Sequence, residues 1–167
     1  MGGILQDYSA NRGYAKSQLI MILFRLASLS KSNASSPLRQ PIRLLAAVVY
    51  KLVSEWVLGV EIPISTNIGK SLRLRHGVGL VINPAVVIGD NVTLRQAVTI
   101  GNRRVDGDCP IIGNDVEIGA GAVIVGKVII GDGTKIAPLA YVDFDVPPGS
   151  RVLSERATIV KARATDA

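Results

Sequence analysis

Few residues in this chain have the type to do chemistry. It carries a single histidine, His76, and a single cysteine, Cys109. Histidine is the side chain whose ordinary pKa lets it take and return a proton near neutral pH. Placed well, such a base removes the proton from a hydroxyl as its oxygen attacks an acyl carbonyl. On residue type alone, a catalytic base and a plain surface histidine are equally good readings of His76. One histidine and one cysteine exclude a disulfide scaffold, a cysteine-rich metal site and a multi-histidine centre within one chain. Cys109 itself reads as a small apolar residue in preference to a nucleophile.

What must hold His76 in place is a repeat. From Ile62 an aliphatic residue recurs every six positions: Ile68 and Leu74, then Ile82, Ile88, Leu94 and Ile100, then Ile112, Ile118, Ile124, Ile130, Ile136 and Val142. Glycine often follows, as at Gly69, Gly89, Gly113 and Gly131, and a small or β-branched residue sits four places on, as at Val78, Val92 and Ala122. Six is neither the helical period nor simple strand alternation. It is the hexapeptide repeat of a parallel β-helix, each hexad forming one flat side. Three hexads make a coil of 18 residues, and coils stack about 4.8 Å apart.

Two breaks in phase stand out. Leu74 to Ile82 spans eight residues, so two are extra beside His76. Ile100 to Ile112 keeps phase, but residues 102–110 (NRRVDGDCP) are too polar and turn-rich for a flat side and read as a protruding loop. Departures from a solenoid repeat tend to mark its working face. The repeat fades near Val146, ahead of Pro147-Pro148-Gly149.

Upstream, residues 14–29 carry apolar positions at helical spacing. A Ser-rich linker follows at 30–37, and a second helix starts near Pro41 and ends before Gly59. The chain divides into a helical N-terminal region (1–59), a β-helix (60–150) and a tail (151–167). The expected fold is mainly β.

Composition agrees. The chain of 167 residues is 48% hydrophobic but only 4% aromatic, with 17 glycines, so its apolar content is aliphatic. The longest apolar runs fall far short of the roughly 20 residues of a membrane span. No convincing leader is seen at the N-terminus, and a cytoplasmic location is expected. The net charge of +6 sits mostly in residues 1–57, with seven basic residues against Asp7 and Glu55. That balance suits a solvated helix face and leaves room for peripheral contact with anionic lipid. No basic run carries interleaved aromatics, so nucleic-acid binding is not expected.

The segments LRHGVGLVI (74–82), VTIGN (98–102), the loop ending in DCP (108–110) and IGAGAVIVG (118–126) together resemble the serine acetyltransferases. They are more similar still to the colanic-acid acetyltransferase type of bacterial polysaccharide biosynthesis. The resemblance covers about residues 5–160. It implies a left-handed parallel β-helix, a trimer with active sites between subunits, and acetyl-CoA as donor without a metal.

It also implies roles for residues. His76 falls on the family's catalytic histidine. Glu61, fifteen residues earlier and so near the same edge of an adjacent coil, stands where the serine enzymes carry an orienting Asp. The serine enzymes place Arg-His-Pro in the loop to engage the carboxylate of serine, where this chain has Asp108, Cys109 and Pro110. A negative Asp cannot hold a carboxylate, which favours a neutral hydroxyl such as a sugar's. Gln96, Asn102 and Arg103 fall where they could line the acceptor site, and Asp7 matches an acceptor-contacting Asp. Gly101, Gly119 and Ala120 match CoA-binding positions, and Arg156 and Lys161 are candidates for its 3′-phosphate. Pro138 breaks the family pattern by removing an amide donor.

The leading expectation is an acetyl-CoA-dependent O-acetyltransferase acting on a free or lipid-linked sugar. Serine O-acetyltransferase and a non-enzymatic solenoid are the alternatives.

Overall fold

The computed structural model describes residues 3–28, 40–105 and 107–155. The linker expected at 30–37 and the phosphate candidates Arg156 and Lys161 lie outside the described residues. A short 3₁₀ turn (Ser9–Asn11) precedes helix α1 (Ala15–Ser28). Helix α2 (Gln40–Lys51) widens into a π-helical turn (Leu52–Val57), which apolar periodicity does not announce. Gly59, the expected stop, adopts a φ of +61°.

Residues 60–152 then wind into a left-handed parallel β-helix of about five coils. The first flat side is built from β1 (Val60–Glu61), β4 (Leu80–Ile82), β7 (Thr99–Gly101), β10 (Val123–Val125) and β13 (Tyr141–Val142). The second holds β2 (Asn67–Ile68), β5 (Val87–Ile88), β8 (Ile111–Ile112) and β11 (Ile129–Ile130). The third holds β3 (Arg73–Arg75), β6 (Thr93–Arg95), β9 (Glu117–Ile118), β12 (Lys135–Ile136) and β14 (Arg151–Val152). We refer to these as sides one, two and three.

The register explains the sequence pattern. Regular coils pair residues 18 apart, as Val81↔Thr99 and Ile111↔Ile129. The first coil is longer by two, pairing Val60 with Leu80. The third is longer by six, pairing Thr93 with Glu117, so six of the nine residues at 102–110 are additional to the coil. The last is shorter by two, pairing Ile136 with Val152. That contraction falls between Val142 and Val146, since Ile124 pairs with Val142 at 18 residues but Ile130 already meets Val146 at 16, and it hides β14 from a search for hexads; the pairing runs past residue 150, where the repeat was expected to end.

The repeating aliphatic positions are all buried, and the small positions Val92, Val98, Val116 and Ala122 are inaccessible to solvent. Each such side chain contributes about 1.5–3 kcal/mol by leaving water. Val78 corrects the expected pattern. It lies outside, 54% exposed, and Leu80 takes the inward position, because the two extra residues beside His76 delay the phase.

The first coil has no strand before it, so its edge needs partners for its backbone groups. The N-terminal region supplies them. Asn11 donates from Nδ2 to the Leu72 carbonyl (2.7 Å) and accepts from the Leu74 amide at Oδ1 (2.9 Å). Ser17 Oγ donates to the Leu74 carbonyl (2.7 Å), and Asp7 Oδ1 accepts from the Leu72 amide (2.9 Å). Arg25 donates to the carbonyls of Ile68 and Gly69. Tyr50 donates its hydroxyl to the Ile62 carbonyl (2.6 Å), and burial raises its pKa so that the phenol stays protonated.

Candidate active site

His76 follows β3 at the corner between sides three and one, within the two-residue insertion. Its φ is +64°, a backbone state that non-glycine residues seldom adopt. The corner aims an exposed imidazole outward. Tyr14, at the start of α1, meets the ring edge-on, with centroids 5.7 Å apart and planes at 80°. The guanidinium of Arg75 lies over the same tyrosine ring, 4.3 Å from its centroid. Tyr14 thus holds the histidine from the side and is itself held by a cation. Sequence reasoning saw Tyr14 only as a helix start; nothing in its spacing signals this contact.

A groove of about 500 Å³ runs from His76 along the same corner, crossing three further coils. Gln96, the acceptor candidate, and Gly119 and Ala120, the CoA candidates, line it. The sequence did not single out Thr93, Arg95, Glu117 or Lys135, which also line it. They are the outward residues of side three, and a period-two reading of each short strand finds them. Lys135 is tied to Glu117 at 3.0 Å, while Arg95 has no acidic partner among the described residues. The groove therefore presents cationic groups where a phosphorylated ligand could lie.

Gly119 and Ala120 do different things. The Gly119 amide donates to the Ile136 carbonyl at 2.8 Å, within the coil-to-coil ladder. A Cβ at Gly119 would stand 2.3 Å from the Pro138 nitrogen and 2.6 Å from the Ala137 carbonyl carbon. Gly119 is there because the next coil approaches too closely for a side chain. The Gly119→Ala substitution is expected to lower stability by about 1–3 kcal/mol through this overpacking. Thermal unfolding followed by circular dichroism measures it, and an unchanged Tm refutes it. The Ala120 amide, by contrast, has no acceptor among the described residues, and Ala120 lines the groove.

The other candidate residues lie elsewhere. Gly101, Asn102, Arg103, Asp108 and Cys109 cluster where the loop leaves the corner between sides one and two, across side one from His76. Arg103 pairs with Asp143 (2.9 Å), and the Asn83 amide donates to Asn102 Oδ1 (3.1 Å), which fixes the base of the loop. Cys109 is buried and forms no disulfide, in keeping with its reading as a small apolar residue. Glu61 points outward from β1 into a second groove of about 400 Å³, shared with Tyr50, Glu55 and Ile64. Among the described residues it makes no hydrogen bond or ion pair with His76. Asp7 is buried, and both its oxygens are engaged by Arg25 and the Leu72 amide. It lies outside the groove, doing structural work that its sequence position does not reveal.

A parallel β-helix whose insertion sets the chain's one histidine at the head of an inter-coil groove has the parts for base-assisted transfer to a hydroxyl. Comparison with known proteins agrees. Residues 109–143 match the family model described as bacterial transferase hexapeptide (six repeats). The chain is 34% identical over 161 residues, 93% of its length and 98% of the relative's, to WcaB of Escherichia coli K12, a protein named provisionally as a colanic acid biosynthesis acetyltransferase. It is 39% identical over 114 residues, 66% of its length and 67% of the relative's, to serine acetyltransferase of Helicobacter pylori.

Among solved structures it superposes on soybean serine acetyltransferase with a TM-score of 0.76 at 31% identity, covering 94% of this chain and 67% of that one. On Entamoeba histolytica serine acetyltransferase isoform 3 the TM-score is 0.74 at 25% identity, covering 96% of this chain and 59% of that one. The chain belongs to the hexapeptide-repeat transferase family and is an acyltransferase.

Proposed function

We propose that the chain transfers an acetyl group from acetyl-CoA to a neutral sugar hydroxyl, with His76 as general base. The imidazole takes the hydroxyl proton as the oxygen attacks the thioester carbonyl. The tetrahedral intermediate collapses, the carbon–sulfur bond breaks, and the CoA thiolate leaves and recovers the proton from the imidazolium. CoA lies along the groove, with the unpaired Ala120 amide and the cations Arg95 and Lys135 as its polar contacts.

The observation that carries the reading is the placement of His76, with its ring held by Tyr14 at the head of the groove. The choice of a sugar over serine rests on Asp108 and Cys109, which offer no charge to hold a carboxylate. A relative that matches over 93% of the chain supports it, since its name points to polysaccharide synthesis. The groove and the loop lie at opposite edges of side one, so one chain does not bring them together. A trimer would, by setting the loop of one copy beside the groove of its neighbour.

The test is release of free thiol from acetyl-CoA with a panel of neutral sugars, free and lipid-linked, and with L-serine. Turnover is expected with a sugar, and at least about a hundredfold less with serine, since a site lacking the partner for a charged group rejects it strongly. Turnover with serine alone overturns the acceptor reading and leaves the donor half intact.

A further inference from the structure

A base that sits on an insertion needs something to fix its ring. His76 is exposed at a corner with a φ of +64°, and its side-chain torsions sample several wells unless a neighbour selects one. The stake is large, since a misplacement of about 1 Å can lower a rate a hundredfold. A carboxylate accepting from the far ring nitrogen is one solution. Glu61, the acid expected in that part, lines the other groove with Lys51 and Glu55. Among the described residues the imidazole makes no hydrogen bond, and the ring it meets is that of Tyr14.

The backbone of Tyr14 is tied on both sides. Its amide donates to the Asn11 carbonyl (3.0 Å), and its carbonyl accepts from the Gln18 amide (3.0 Å), which opens α1. Asn11 and Ser17 flank it and bond to the backbone of Leu72 and Leu74, on the stretch of chain that leads into His76. Tyr14 and His76 are therefore mounted on the same strand from two directions. Arg75 then fixes the tyrosine ring, its guanidinium 4.3 Å from the centroid. Nη1 of Arg75 is buried with no hydrogen-bond partner among the described residues, and Nη2 reaches the Ala10 carbonyl only at 3.4 Å. A buried donor without an acceptor is costly. The negative face of the tyrosine ring is the partner that offsets this cost.

We propose that Tyr14, clamped by Arg75, is the positioning residue of His76 and takes the place of an orienting acid. This deepens the reading of His76 as the base and rests on it. The ring alone does the holding, since the Tyr14 hydroxyl makes no hydrogen bond among the described residues.

The single histidine gives one set of imidazole carbon–proton signals in NMR spectra of the full-length protein. Tyr14→Leu keeps apolar bulk at the helix start but removes the ring. It is expected to move those signals through loss of the ring current, and Glu61→Gln is expected to move them less. Signals that stay in place in Tyr14→Leu, or move more in Glu61→Gln, overturn the proposal without reference to activity.

The second readout is thiol release from acetyl-CoA with the fastest sugar acceptor of the panel. Tyr14→Leu is expected to lower kcat about tenfold or more, with KM for acetyl-CoA changed less than about twofold. Tyr14→Phe returns the ring and is expected to recover the rate to within about threefold of the parent. In a His76→Asn background, Tyr14→Leu should have no further effect, because no imidazole is left to hold. An equal fall in both backgrounds assigns Tyr14 another role and overturns the proposal. Retained activity in His76→Asn alone is a different failure, that of the base reading, and removes the proposal with it.

Discussion

Replacing His76 with Asn is expected to lower acetyl transfer by about 10²–10⁴-fold, the usual contribution of a positioned general base. That corresponds to about 3–5 kcal/mol on the barrier. The choice of Asn matters because the φ of His76 is +64°. Asn is among the non-glycine residues that best tolerate the left-handed region, so the corner keeps its shape while the base is lost. Alanine at the same position adds a conformational cost of about 1–2 kcal/mol, and its effect would mix chemistry with folding. Affinity for CoA, measured by calorimetry, is expected to change less than about twofold in His76→Asn, since the groove extends three coils beyond the histidine. The assay is thiol release under saturating donor. A variant that keeps a rate within tenfold of the parent removes His76 from the mechanism, whatever the acceptor proves to be.

The β-helix was legible because its rule is local. Every sixth residue must be aliphatic to stack on the coil below, and from Ile62 to Val142 thirteen positions obey. His76 was legible for a related reason: the insertion that places it also breaks the count. What failed to show were contacts made across the chain by residues with no period. Tyr14 reaches His76, Asp7 reaches Leu72 and Asn11 reaches Leu74, over separations near sixty residues, and no spacing rule connects them. β14 was hidden for a third reason. Removing two residues between Val142 and Val146 shifts the phase without weakening the pairing, so a pattern search stops where the structure continues.

The site was legible in halves. The hexad phase is enough to bring Gln96, Gly119 and Ala120 to the corner headed by His76. The same phase puts Asn102 and Asp108 on the opposite edge of side one, because one flat side separates the two corners. Residues named together by resemblance are therefore apart in a single chain. In a trimer of the kind proposed above, each copy would lend its loop to one neighbour and its histidine to another.

Asp7 separates a positional likeness from a physical role. Its side chain is 1% exposed, and that of Arg25, 2.7 Å away, is 12% exposed. Removing the carboxylate in Asp7→Ala leaves a largely buried guanidinium without a counter-charge and the Leu72 amide without an acceptor. Breaking one side of such a buried pair costs about 3–5 kcal/mol. For a domain of this size that lowers Tm by about 10 °C. Asp7→Asn keeps an oxygen for the amide but not the charge, so its loss should be smaller.

Replacing both partners with apolar residues, Asp7→Leu with Arg25→Met, is expected to recover part of the stability, because no charge is then stranded. Acetyl transfer per folded molecule should stay within about twofold in all of these variants below their Tm, since Asp7 does not line the groove. The opposite outcome, an unaltered Tm with a KM for the acceptor raised tenfold or more, would return Asp7 to the acceptor site. The tie between the N-terminal region and the first coil would then rest on Asn11, Ser17, Arg25 and Tyr50.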